Sequence, residues 1–354
     1  MMKVALLGLK GDFKNSTGSG IKNYMYYLYQ GLLKSDEVKV SKIEFSTFGQ
    51  FKNFPWLNNW VSFGLKTSLN RFEKYDIVHN PDPGHEIFMR RGKYKLVTTV
   101  HDFREFFDPK AKISSEENLK QKVFVGLVKK SLLAALKSDY LIARSIQTKE
   151  EAIALGYDKN KICVSPHGLD DGFISKPIPN KKVNSTMFKI GYVGGFSYSK
   201  NLVFAIDAFK HIKNNNIRFL IYGKKALEYD RLLKYSAGMK NVNFMGFAEE
   251  SRLVSIYDSF GAFVFPSLYE GLGLPIREAQ ARGLPVIIYK YGKIPKEIRK
   301  YCFEAKSPEH MAQIIEDLKE NGYNENLRKK AIQYARSFTW EKCVNDTLNL
   351  YKKI

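Results

Sequence analysis

Apolar positions along the chain follow two alternating rhythms. Lys3–Leu9 is a nearly unbroken apolar run and Val38–Phe45 alternates apolar with polar; Asp76–Asn80, Lys95–His101, Asp139–Ala143 and Ile162–Pro166 are further short runs. Each reads as a strand. Between them, Ile21–Lys34 sets Ile21, Met25, Leu28 and Leu32 at helical spacing. Asn118–Lys137 does the same with Leu119, Val123, Leu127, Leu132 and Leu136. Unbroken apolar strands alternating with helices predict a parallel sheet covered on both faces.

The rhythm breaks around residues 170–186, where Asp-Asp-Gly, Pro177, Pro179 and Asn184-Ser185-Thr186 read as a linker. It then restarts. Lys189–Val193, Arg218–Tyr222, Val242–Met245, Ala262–Pro266 and Pro285–Tyr289 are strands; Asn201–Lys213, Leu227–Ala237 and Glu249–Phe260 are helices. Asn324–Tyr351 reads as one or two closing helices. The expected organisation is α/β: two Rossmann-like, doubly wound domains, 1–172 and 188–339, joined by a linker at 173–187. They are expected to face a cleft, each offering it the carboxyl ends of its strands, where ligands bind in open α/β sheets.

Length and composition agree with this division. The chain has 354 residues, beyond the ~250–300 at which one core stops growing, and 44% of them are apolar. No apolar run reaches the ~18–20 residues that span a bilayer. Cys163, Cys302 and Cys343 are odd in number and widely separated. That argues against a disulfide framework or a cysteine zinc site and implies a reducing, cytoplasmic setting. The charge is unusual: 57 Lys and Arg against 36 Asp and Glu give +21. The excess is spread through both halves and not gathered in a nucleic-acid-binding tail. It favours an anionic partner such as nucleotide phosphates or an anionic membrane face, although lysine-rich surfaces also arise without one. A duplex-binding module would show a concentrated basic stripe, a zinc finger or an RNP-like aromatic pattern; the chain has none, so nucleic acid is not expected.

The chemistry concentrates in Phe263–Ile287. An apolar strand ends at Pro266, a glycine loop follows, and Pro275 stands where a helix begins. Gly271 and Gly273 permit close backbone approach to a ligand, and the helix start beside them suits an anion. Glu270 lies in the loop and Glu278 on the helix. A loop carboxylate beside an anion site fits a ligand carrying both hydroxyls and phosphates, that is, a sugar nucleotide. The same string also fits a helix-capping loop with one dipole-favourable Glu. No Gly-x-x-x-x-Gly-Lys-Ser/Thr string occurs, and no Asp-x-Asp triplet that would hold a metal-bound diphosphate.

Taken whole, the segment resembles the Glu-x7-Glu signature of the GT-B glycosyltransferases, in particular retaining family 4. Gly18-Ser19-Gly20 is similar to that family's N-terminal glycine loop, and Asp76-Ile-Val-His79 and Val100-His101-Asp102 to its strand ends. Ser165-Pro-His-Gly-Leu-Asp170, Tyr192–Leu202, Val242–Gly246 and Phe338-Thr-Trp-Glu341 fit in the same order. A sugar-nucleotide epimerase or phosphorylase of the same architecture is the nearest alternative, and the full Glu-x7-Glu segment argues against both. The resemblance implies a metal-independent hexosyltransferase that needs no cofactor and moves a sugar from a nucleotide-sugar donor to a glycan or lipid-linked acceptor. It implies that Glu270 contacts the donor sugar, Glu278 the ribose, and Lys200 the diphosphate, with His101 as the active-site histidine. Gly20, Gly194, Gly271, Leu272, Gly273 and Leu274 would line the donor. A second basic residue is usual near the diphosphate; its common positions hold Gly195 and Ser199, so Lys224 or Lys225 becomes the candidate. The C-terminal helix, about 340–354, is expected to pack back on the first domain.

Two stretches mix basic and interfacial residues. Asn118–Lys137 carries Lys122, Lys129, Lys130 and Lys137 outside its apolar stripe, and Phe51–Arg71 interleaves Trp56, Trp60 and three Phe with Lys52, Lys66 and Arg71. Both suit peripheral binding to an anionic inner leaflet, as well as an ordinary packed helix with a solvated lysine face.

Overall fold

The computed structural model describes residues 1–13, 20–45, 72–108, 119–179, 187–225 and 228–354. They form two compact units, Met1–Gly168 with Thr339–Ile354, and Leu169–Phe338. Each is built around a six-stranded parallel sheet.

In the first unit the strands are β1 (Met2–Leu9), β2 (Val38–Phe45), β3 (Ile77–Asn80), β4 (Lys95–Val100), β5 (Tyr140–Ala143) and β6 (Ile162–Val164), in the order β2-β1-β3-β4-β5-β6. The apolar run of β1 is explained by its place between β2 and β3: Val4, Ala5, Leu6 and Leu7 are fully buried, on both faces of the sheet. The helix Gly20–Leu33 buries Tyr24, Met25, Leu28 and Leu32. Trp340–Lys352, whose Thr339 cap accepts from the Lys342 amide at 3.1 Å, places Cys343, Val344, Leu348 and Tyr351 in the same core as Val4 and Leu6.

In the second unit β7 (Phe188–Val193), β8 (Ile217–Tyr222), β9 (Val242–Gly246), β10 (Ala262–Phe265), β11 (Val286–Tyr289) and β12 (Cys302–Ala305) lie in the order β12-β11-β10-β7-β8-β9. After β7 the chain winds outward to β8 and β9; after β10 it winds the other way. Neighbouring β7 and β10 therefore flank the point where the strand order reverses. Loops leaving two such strands diverge and leave a crevice at their carboxyl ends.

Most expected strands differ from the observed ones by a residue at either end. β12 has no counterpart in the sequence reading, and neither has the helix Pro308–Asn321 that follows it. Cys-Phe-Glu-Ala is a half-exposed edge strand, so it carries neither an apolar run nor an alternation. The units divide at Gly168/Leu169, where the sequence suggested 172. Leu169 and Phe173, the latter on the helix Asp171–Ser175, are buried in the second unit's core. Arg282 then holds the following segment through the Lys176 and Pro177 carbonyls, at 2.8 and 2.6 Å. Residues 169–177 thus belong to the second unit, and of the expected linker residues 180–186 lie outside the described ones.

Candidate active site

Lys200 and Glu270, seventy positions apart, meet at the reversal point of the second sheet. Lys200 closes the short turn Tyr198–Lys200 after β7, and Glu270 stands in the loop after β10. The Lys200 ammonium donates to Glu270 Oε1 at 2.6 Å and lies 5.1 Å from the Phe265 ring centroid. The pair is half-shielded, with side-chain exposures of 23% and 10%.

Backbone contacts hold the two loops together. The Leu268 amide donates to the Ser199 carbonyl at 2.8 Å, and the Asn201 side chain donates to the Pro266 carbonyl at 3.2 Å. Asn201 takes the left-handed conformation (φ 52°), which Asn tolerates better than most residues. On the far side, the Glu270 amide donates to the Lys293 carbonyl and the Lys293 amide to the Leu268 carbonyl, at 2.9 and 2.7 Å. Pairing on both flanks gives Glu270 a fixed backbone.

The loop then turns at Gly273, whose φ of 66° is open to glycine and strained for other residues. It enters the helix Leu274–Ala281 with Pro275 in the first turn. The Ile276 and Arg277 amides close onto the Gly273 carbonyl at 3.0 and 3.3 Å. An anion at this end would therefore meet the amides ahead of them, at Gly273 and Leu274. Within the helix, fully buried Arg277 stacks on Phe338, 3.8 Å from guanidinium carbon to ring centroid. Glu278 accepts from the Tyr257 hydroxyl at 2.6 Å. Desolvation pushes the Glu278 carboxyl up to about 7, with Asp170 and Glu250 adding to the shift against the Tyr257 hydrogen bond.

Gly194 follows β7 and touches the neighbouring strand end: a Cβ on Gly223 would lie 2.2 Å from the Gly194 carbonyl oxygen. Lys224 and Lys225, just beyond, are exposed, and Lys225 sits over the Tyr229 ring at 5.0 Å. Gly20 is the first residue of its helix; Gly18 and Ser19 lie outside the described residues.

The first unit gathers a different set at its own strand ends. His101, half-buried after β4, has Nε2 2.9 Å from the Pro81 carbonyl oxygen. A carbonyl only accepts, so Nε2 carries the proton and the neutral ring keeps its lone pair on Nδ1. The Tyr24 ring stands edge-on to His101 at 5.6 Å and stacks on His167 at 5.2 Å. Behind them His79 is wholly buried, with Nδ1 2.5 Å from the Tyr351 hydroxyl and Nε2 2.8 Å from Thr99 Oγ1; the latter lies 2.9 Å from the Tyr24 hydroxyl. Buried Glu86 receives hydrogen bonds from Asn80, Thr98 and Ser138, and desolvation pushes its carboxyl up to about 7. Asn80 precedes Pro81, so this network supports the carbonyl that orients His101.

Residues 19–173 match the family described as Glycosyltransferase Family 4, and residues 175–338 the family described as Glycosyl transferases group 1. The chain belongs to the group 1 glycosyltransferases of the GT-B fold. O-antigen chain mannosyltransferase B of Escherichia coli is 25% identical over 80% of this glycosyltransferase and 76% of that protein. The UDP-Gal:alpha-D-GlcNAc-diphosphoundecaprenol alpha-1,3-galactosyltransferase of Escherichia coli is 32% identical over 67% and 63%. Among solved structures, sucrose-phosphate synthase from Thermosynechococcus elongatus has a TM-score of 0.75 at 18% identity, covering 100% of this chain and 99% of that one. Anabaena HepE in complex with UDP-glucose has a TM-score of 0.68 at 16% identity over the whole of both chains.

Several contacts of this glycosyltransferase carry no signal in the sequence. Tyr257 under Glu278, Phe265 beneath Lys200 and the Gly292-Lys293 turn beside Glu270 come from separate elements. His79 belongs to a motif that the sequence does single out, and the structure commits both its nitrogens to internal partners.

Proposed function

We propose that this glycosyltransferase takes a nucleotide-sugar as donor and transfers its sugar, with retention of configuration and no metal ion, to a glycan or lipid-linked acceptor. The observation that carries the reading is the Lys200–Glu270 pair at the reversal point of the second sheet. A cation for a diphosphate and an acceptor for sugar hydroxyls stand together, beside a helix start that follows a glycine in the left-handed conformation. Donor binding exchanges partners: the diphosphate takes Lys200 and the sugar hydroxyls take Glu270.

The leaving diphosphate gains charge as the anomeric bond breaks. A fixed ammonium and the amides before Ile276 stabilise that charge more than the ground state, which lowers the barrier. The acceptor hydroxyl attacks the anomeric carbon on the face the phosphate leaves, and the departing phosphate oxygen takes its proton. Glu278 holds the ribose hydroxyls, and His101 serves the donor sugar as a neutral hydrogen-bonding group. Lys224 is the candidate second cation for the diphosphate. A thermal-shift panel of UDP-, GDP-, ADP- and dTDP-sugars tests the donor class: one nucleotide series should stabilise the chain, and Lys200→Ala should abolish that shift. A flat panel would refute the assignment.

No helix among the described residues is long and apolar enough to cross a membrane. The helix Leu119–Ala135 exposes Val123, Phe124 and Leu133 beside exposed Lys122 and Lys130. This surface supports peripheral association of a cytoplasmic protein with an anionic inner leaflet, where lipid-linked acceptors reside. Sedimentation with anionic liposomes should show salt-sensitive binding, weakened by Lys122→Glu with Lys130→Glu. The Phe51–Arg71 stretch lies outside the described residues.

A further inference from the structure

The first unit buries a cation that the proposed reaction leaves unused. Arg144, immediately after β5, is fully buried. Its Nη2 donates to Cys343 Sγ at 3.4 Å, while Nε and Nη1 have no hydrogen-bond partner among the described residues. The guanidinium carbon sits 4.1 Å from the Tyr24 ring centroid, and no carboxylate forms an ion pair with it among the described residues. Arginine stays charged in any protein setting, and a buried charge without a counter-ion is costly. The π-face of Tyr24 offsets part of that cost. This charge acts on its surroundings: on Tyr24, Cys163 and Asp346, whose ionised forms it favours, and on the histidines, whose charged forms it opposes.

The same Tyr24 ring that carries Arg144 on its face is edge-on to His101 and stacked on His167. We propose that Arg144 is a positioning residue whose buried positive charge keeps His101 a neutral side chain, in the orientation set by Pro81 and Tyr24. Protonating His101 would place a second cation near one that cannot give up its own and that is wholly shielded from solvent.

Among the described residues, the charged and titratable groups facing His101 are few. Asp82, beyond β3, favours the charged ring; Arg144 disfavours it, and His79 and His167 add only neutral imidazoles at neutral pH. Tyr24 supplies a ring edge, and Thr148 reaches the His101 carbonyl at 3.5 Å. The balance goes to the neutral form. Burial first and Arg144 second push the ring down to about 4, against the Pro81 hydrogen bond and Asp82. His79 follows for the same reasons, down to about 3. The ring then presents its Nδ1 lone pair as an acceptor throughout the physiological range.

The consequence for turnover rests on the role proposed above for His101; the charge relation does not, and it is read directly. Histidine side-chain NMR on the full chain would follow His101 from pH 8 down to the acid limit of the fold. In the unmodified protein the ring should stay neutral, as the Nε2–H tautomer, to below pH 5. In Arg144→Met, which keeps bulk and removes charge, the midpoint should rise by about one pH unit or more, and Arg144→Lys should restore the low value. The acid limb of kcat/KM should move with it. A His101 midpoint at or above 6 in the unmodified protein overturns the proposal without recourse to any variant, as does an unmoved midpoint in folded Arg144→Met. A shifted midpoint with an unchanged rate profile would leave the charge relation standing and remove His101 from the reaction.

Discussion

Two clusters stand at the carboxyl ends of two similar parallel sheets, and they handle charge in opposite ways. In the second unit, Lys200 and Glu270 are half-shielded and paired with each other. In the first, Arg144 is fully buried and forms no ion pair with a carboxylate among the described residues, while His79 and Glu86 sit in closed hydrogen-bond networks. A half-shielded ion pair whose cation still meets solvent can exchange partners, so it suits a site that must trade with an incoming anion. A buried charge cannot trade. It can only set the state of its neighbours. The same topology thus yields an exchangeable site in one unit and a preset one in the other.

The sharpest way to break this contrast is to remove the exchangeable pair. Lys200→Ala and Glu270→Ala should each lower kcat by about 10²-fold or more, the scale of losing one preorganised group at a developing charge, with unchanged circular dichroism. Glu270→Gln should also lose turnover, yet calorimetry should show nucleoside diphosphate binding about two- to fivefold more tightly, because Lys200 no longer has a carboxylate competitor. Weaker binding in that variant would mean that the pair is a fixed strut.

A smaller effect is expected at the strand ends beneath the pair. Gly223→Ala drives a methyl into the Gly194 carbonyl and should cost about 1–3 kcal/mol by overpacking, seen as a lower denaturant midpoint and weaker donor binding.

Next comes the ribose carboxylate. Glu278 should ionise as pH rises through about 7, and the ionised form accepts ribose hydroxyls better. Donor KM should therefore fall between pH 6 and 8, and Glu278→Gln should flatten the profile. Tyr257→Phe removes a bond to the carboxylate and should raise KM by a few-fold, about 0.5–1.5 kcal/mol.

The preset cluster sharpens the contrast through acid stability. His79 and His101 have midpoints below their unfolded value near 6.5. The unfolded chain therefore binds protons first as pH falls. Their contribution to stability is fully present above about 6.5 and is lost as pH drops toward 4 and then 3. Glu86 runs the other way: its midpoint near 7 exceeds the unfolded 4.5, so its contribution is present below 4.5 and declines as pH rises toward 7. Denaturation in Arg144→Met should show a shallower acid loss than in the parent chain.

Much of the exchangeable site could be read along the chain, because its parts lie at strand ends marked by glycine and proline punctuation. Glu270, Gly273 and Glu278 share one short segment, and Lys200 ends a loop that directly follows a strand. Little of the preset site could be read in this way. Tyr24 looks like one more apolar position on an amphipathic helix, Arg144 like a polar residue ending a strand, and Cys343 and Tyr351 arrive from the far end of the chain. Their relation is purely spatial. β12 stayed hidden for a related reason, since an edge strand half open to solvent imposes no pattern on its residues.

Periodicity and punctuation pointed to the α/β class and the two sheets, because burial on both faces of a parallel strand and tight turns at its end act on neighbouring residues; the family came from the resemblance of the motifs at those turns. The partnership of Lys200 with Glu270, the tautomer of His101 and the burial of Arg144 against Tyr24 depend on which strand ends become adjacent and how dry the space between them is. Those are properties of packing at long sequence separation, and the folded chain alone fixes them.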